Sequence, residues 1–145
     1  MSIETRKKYT TNIEWHRDIL EGEDVILCHT TALEHLGLFC GYTGDILIDV
    51  YSIKKGNNEN INYNIVKSFD GIETVSIGNL LCTSVTQTFN DMLRKNNETD
   101  EHSLIMGLAE YYYENNESFD GLTINPENMN IFNKIKVWAE EYYDY

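Results

Sequence analysis

The chain has one proline, three cysteines and no apolar run close to the ~20 residues a membrane-spanning helix needs. A single proline excludes a proline-rich linker and a collagen-like rod. Cys28, Cys40 and Cys82 are odd in number, form no CxxC pair and have no histidine at zinc-finger spacing. A disulfide framework and a structural zinc site are therefore not expected, and the thiols are expected to be reduced and mostly buried. The opening MSIETRKKYTTNIEW lacks the apolar core of a secretory signal, so a cytoplasmic location is expected. Basic residues are also scarce, 11 against 24 acids, for a net charge of −13. Such a surface repels phosphate backbones and anionic lipid, which argues against direct nucleic-acid or membrane binding.

What is present fits one domain. At 145 residues the chain is long enough to bury roughly 68–70% of its unfolded surface without covalent staples. Residues 1–9 read as a flexible polar tail. The charge is uneven: residues 98–145 hold eleven acids against Lys134 and Lys136, a net of −9, whereas basic residues slightly outnumber acids before residue 18. An acidic third of this kind serves solubility, or it faces a basic protein partner.

Hydrophobic period places the elements. Ile13, Trp15 and Ile19–Leu20 predict a short amphipathic helix that Gly22 ends. An apolar stretch at 24–28 leads into a helix over 29–38, with Thr30 or Thr31 as N-cap and Glu34 near capping-box spacing. Residues 45–52 form the best strand pattern, and 61–67 alternate in the same way, which predicts a hairpin through a turn at Gly56–Asn58. Residues 72–77 read as a further strand and Leu80–Cys82 as a fourth apolar patch. The period then becomes helical. Ser84 or Thr86 caps a helix to Leu93, a second helix covers 101–114, and Asn125–Pro126 opens a third, whose stripe runs through Met129, Phe132, Ile135 or Lys136, and Trp138–Ala139. The expected fold is α+β: a small, mainly antiparallel sheet of about four strands, an N-terminal helical segment and a C-terminal group of helices.

Catalytic patterns are weak. Cys28 and His29 are adjacent, which on extended backbone points their side chains apart. His29 and His35 are six apart and share no helix face, so no metal pair is expected. Asp45 and Asp49 lie on one face of a strand, but the acid-x-lysine element of a metal-dependent nuclease is missing after Asp49. No phosphate-binding glycine loop is present. No enzyme activity, cofactor or metal is expected. The remaining oddity is aromatic and acidic: Tyr111-Tyr112-Tyr113-Glu114 and residues 138–145, Trp-Ala-Glu-Glu-Tyr-Tyr-Asp-Tyr. Either the rings are buried and the acids solvated, or these residues form a contact surface.

Residues 27–38, Leu-Cys-His-Thr-Thr-Ala-Leu-Glu-His-Leu-Gly-Leu, resemble the Ser-His-x-x-Ala-Leu-x-x-x-Gly-Leu motif of the AbiE-type (type IV) antitoxins of bacterial abortive-infection systems. His29, Ala32, Leu33, Gly37 and Leu38 fit it, with Cys28 in the serine place. Residues 80–93 are similar to that family's apolar segment running into an Arg-Thr-x-x-Asp-Leu helix. Thr88 and Asp91 fit, and Gln87 replaces the arginine. The likeness covers roughly residues 25–114. It implies a non-enzymatic protein that counteracts a nucleotidyltransferase-like toxin in phage defence or its evasion. The family's N-terminal winged helix has no counterpart before the motif, so its promoter-binding role is not carried over. The expected function is an acidic antitoxin-like protein whose C-terminal third docks a basic partner, either a toxin nucleotidyltransferase or a nucleic-acid-binding enzyme. Tyr111, Glu114, Glu140, Glu141, Tyr143 and Asp144 are the expected contacts. The alternative is a phage or mobile-element mimic of nucleic acid that inhibits a nuclease or CRISPR effector.

Overall fold

One mixed sheet organises the molecule, which we describe from a computed structural model covering residues 12–40, 47–94 and 100–144. The expected tail at 1–9, Asp45 and the Asn96–Asn97 break lie outside these residues. Strand β1 (Ile26–Leu27) is only two residues long, yet it is the centre of a five-stranded sheet. Around it lie β2 (Ile48–Ser52), β3 (Ile61–Ile65), β4 (Thr74–Ile77) and β5 (Leu80–Thr83), in the order β3-β2-β1-β5-β4. The fold is α+β, as the element order indicates, with five strands rather than about four. The sheet is also mixed: β1–β2 and β4–β5 are antiparallel, β1–β5 and β2–β3 parallel.

The β2–β3 pairing corrects the expected hairpin. Ile48 pairs with Ile61 and Ser52 with Ile65, so residues 53–60 carry the chain back along the whole of β2. That return is about 13 Å, well within the reach of the segment. Asn58 organises its end: its side chain accepts from Asn60 N at 2.8 Å, and Asn60 O accepts from Ile48 N at 2.8 Å. The turn expected at Gly56–Asn58 therefore starts a parallel strand.

One sheet face is apolar. Leu27, Ile48, Val50, Ile61 and Cys82 are covered by α1 (Asn12–Ile19), through Trp15, and by Leu20 and Ala32. Gly22, with φ of 80°, takes the left-handed step that ends α1. Helix α2 (His29–His35) begins at Cys28, not at a threonine cap. Thr31 Oγ1 instead accepts from Asp49 N at 2.9 Å, and Thr30 bonds Ser103 at 2.7 Å. Both hydroxyls thus tie α2 sideways to neighbouring elements.

The larger core lies among helices: α2, α3 (Val85–Arg94), α4 (Glu101–Glu114) and α5 (Met129–Glu140). Leu33, Phe89, Met92, Leu93, Leu104 and Leu108 are fully buried there. Gly107 allows the close approach of α4, since a Cβ would stand 3.0 Å from Leu33 Cδ1 and 3.3 Å from the Phe89 ring. Asp100 caps α4 by accepting from Ser103 N. Pro126 opens a short 3-10 turn, Pro126–Asn128, before α5. Phe132, Ile135 and Ala139 form the buried stripe of α5. Trp138 leaves the expected stripe: one residue before Ala139, it is rotated by about 100° and is 52% exposed. None of the described helices is long and apolar enough to cross a membrane.

Ser84 is the cap of α3, accepting from Gln87 N at 3.1 Å. Ser84→Ala should lower stability by about 1 kcal/mol in urea unfolding, and Thr86→Ala, which removes no cap, should cost less.

Candidate functional site

The C-terminal half of α4 meets the end of α5 and the 3-10 turn Tyr142–Asp144, and five polar groups gather there. Tyr143 donates to Glu110 Oε2 at 3.0 Å, and its ring edge lies against Tyr113, centroids 4.9 Å apart. Tyr113 donates in turn to Glu140 O. Glu114, one turn along α4 from Glu110, is exposed. A hydrogen bond shared with Glu110, then slight burial and the like charge, raise its carboxyl above the usual range. Partial burial, the bond to Glu110 and its charge likewise raise the Tyr143 hydroxyl.

Of the expected contacts, Glu114, Glu140, Glu141 and Tyr143 belong to this end of the molecule. The Asp144 side chain lies outside the described residues. Tyr111 points elsewhere, donating to Asp120 O at 2.7 Å and packing edge-on to Phe89. It pins the loop after α4 rather than joining the cluster. Sequence reasoning passed over Glu110, although its i, i+4 spacing to Glu114 was available. Trp138, which the sequence placed both in the buried stripe and in the aromatic-acidic segment, is 52% exposed and with Val137 (44% exposed) gives α5 an apolar outer face beside Glu141.

Of the two carboxylates weighed for a nuclease, Asp45 lies outside the described residues. Asp49 accepts from Asn62 Nδ2 at 2.7 Å across the β2–β3 pair. Among the described residues no group of three His, Cys, Asp or Glu is placed to hold a metal. An open cleft of about 470 Å³ lies apart from these residues, between Glu23 and Asp24 on one side and Lys54 and Lys55 on the other. Its mixed charge favours no single ionic ligand.

A second cluster is buried on the opposite face of the sheet, where Val66, Phe69 and Ile72 pack on Ile26, Cys28 and Tyr51. His29 has φ of 52°, a left-handed conformation that non-glycine residues rarely adopt. This folds the ring back on its neighbour and overturns the expectation that the two side chains diverge: Cys28 Sγ is 3.5 Å from His29 Nδ1. His29 Nε2 is 3.4 Å from Tyr51 Oη, and Tyr51 donates to Asp91 Oδ2 at 2.8 Å. Asp91 Oδ1 accepts from Gln87 at 2.9 Å and from Arg94 at 3.2 Å. Burial first, then the Asp91 charge and hydrogen bond, push the Tyr51 hydroxyl far above its ordinary value. This network joins the two segments that carry the antitoxin likeness, since His29 and Asp91 meet across Tyr51. Thr88 bonds Thr83 at 2.6 Å and Ser84 O at 2.6 Å.

A scan against protein-family models, a search of curated proteins and a search of solved structures each return no match.

Proposed function

We propose that this chain is a non-enzymatic, cytoplasmic binding protein of the antitoxin kind, which docks a basic partner through its acidic, aromatic C-terminal surface. The observation that carries the reading is the position of Trp138. A half-exposed tryptophan beside Val137, on a helix whose end bears Glu140, Glu141 and Tyr143, combines an apolar anchor with a negative field. The charge speeds encounter with a basic surface, and the rings slow dissociation. The sequence resemblance to the antitoxins makes a nucleotidyltransferase-like toxin the first partner to test. Phage defence, or its evasion, is the setting that resemblance implies.

The test is rescue of growth in cells expressing such a toxin encoded beside this chain. Wild type should rescue, and the triple charge reversal Glu140→Lys, Glu141→Lys, Asp144→Lys should not, with its circular dichroism unchanged. Rescue by the reversed variant would reject the surface. Displacement of DNA or RNA from a nuclease, without rescue, would favour the mimic instead.

A further inference from the structure

The Cys28 network has a direction. Tyr51 has one proton, and it is donated to Asp91, so the Tyr51 oxygen accepts from His29 Nε2–H. His29 Nδ1 is then the ring's lone-pair nitrogen, and it faces the Cys28 thiol at 3.5 Å. Asn64 Nδ2, at 3.7 Å, directs a further donor at the same sulfur. Each hydrogen thus points along one path, from thiol to imidazole to phenol to a carboxylate that Arg94 neutralises. The left-handed backbone at His29 is what closes the first link. Strain of this kind persists only where surrounding contacts hold it, and it clusters at working sites.

Cys82 is the internal comparison. It is as fully buried as Cys28, but its sulfur has one polar partner among the described residues, Ala32 O at 3.8 Å, and burial pushes its thiol up to about 12. Above Cys28 lies a short connection, residues 66–72, whose Val66, Phe69 and Ile72 cover Ile26, Cys28 and Tyr51. Val66 N donates to Ser52 O at 2.9 Å and ties the start of the segment to β2, while the bonds of Ile72 N to Phe69 O and Asp70 N to Ser68 Oγ are internal to it. Residues 67–72 can therefore lift about that anchor without breaking the sheet, and their apolar underside favours uncharged reagents.

We propose that Cys28 is an activated thiol, a modification site for small uncharged electrophiles that enter beneath the 66–72 strap. In the reaction with iodoacetamide, the sulfur lone pair forms the S–C bond as the C–I bond breaks and iodide leaves. The thiol proton moves to His29 Nδ1, and the imidazolium is held by the Tyr51 oxygen until the proton passes to solvent. Peptide mass spectrometry of the intact chain under limiting iodoacetamide reads all three cysteines at once, with exposed Cys40 as reference. Cys28 should react at least about tenfold faster than Cys82. In His29→Gln the two rates should converge. If that variant fails to fold, Tyr51→Phe, which removes only a hydroxyl, should slow Cys28 in the same direction. Phe69→Ala should accelerate Cys28 but not Cys82. Equal rates at the two buried thiols in wild type would overturn the proposal, and so would a fast Cys28 that ignores His29 and Tyr51.

Discussion

Asp91→Ala should destabilise the fold by about 3 kcal/mol, the largest effect expected from a single polar residue. The carboxylate is 1% exposed and takes hydrogen bonds from Tyr51, Gln87 and Arg94. Removing it does not strand the arginine, whose side chain is 56% exposed and returns to water. The penalty falls on Tyr51, which is 5% exposed and would keep a buried hydroxyl with no carboxylate to receive it. Asp91→Asn keeps an acceptor in place and should cost roughly half as much. Tyr51→Phe removes the stranded donor, so adding Asp91→Ala to it should cost clearly less than in wild type, a coupling of about 1–2 kcal/mol. Urea unfolding midpoints of the four proteins measure this. Additive losses would mean that the Tyr51–Asp91 bond does not hold α3 to the sheet.

Acid should weaken the molecule through a histidine pair at the other end. His16 Nδ1 and His35 Nε2 are 3.0 Å apart with rings inclined by only 21°, so a single proton bridges α1 and α2. His35 Nδ1 is buried without a partner among the described residues. Burial, and then the Arg17 charge, lower the His35 pKa from 6.5 to about 4. The folded state thus prefers neutral His35, and the unfolded state binds the extra proton first. Stability is complete above pH 6.5 and falls as pH drops toward 4. The loss is about 2 kcal/mol, reduced from the full value because the site is partly solvated. His35→Gln should be less pH-sensitive than wild type in this window by that amount. Parallel pH profiles for the two proteins would contradict the assignment.

Much of the helical half was legible in the sequence, because its signals are local. The 3.6-residue stripe of Leu104 and Leu108 marks α4, and Ser84 or Thr86 marks the start of α3. Strand positions were legible too, since period-two alternation at 48–52 and 61–65 states which residues face the core. Strand direction was not. Alternation is the same for a parallel and an antiparallel neighbour, and the outcome rests on Asn58 and Asn60 bonding the chain beside Ile48. The site divides similarly. The acids and rings of the C-terminal third were visible as composition, but the pairing of Tyr143 with Glu110 spans 33 residues and depends on how α5 crosses α4. Cys28 and His29 were dismissed on a rule for extended backbone, and one residue with positive φ sets that rule aside.

The central claim is that a negative, ring-bearing C-terminal surface carries binding, and salt-dependent affinity tests it most directly. Calorimetric titration of the chain into the proposed toxin partner should show affinity falling steeply between about 0.05 and 0.5 M salt. Trp138→Ala should weaken binding about tenfold or more at both salt concentrations, since an apolar anchor is not screened. Affinity indifferent to salt and to Trp138 would place the interface on another part of the molecule.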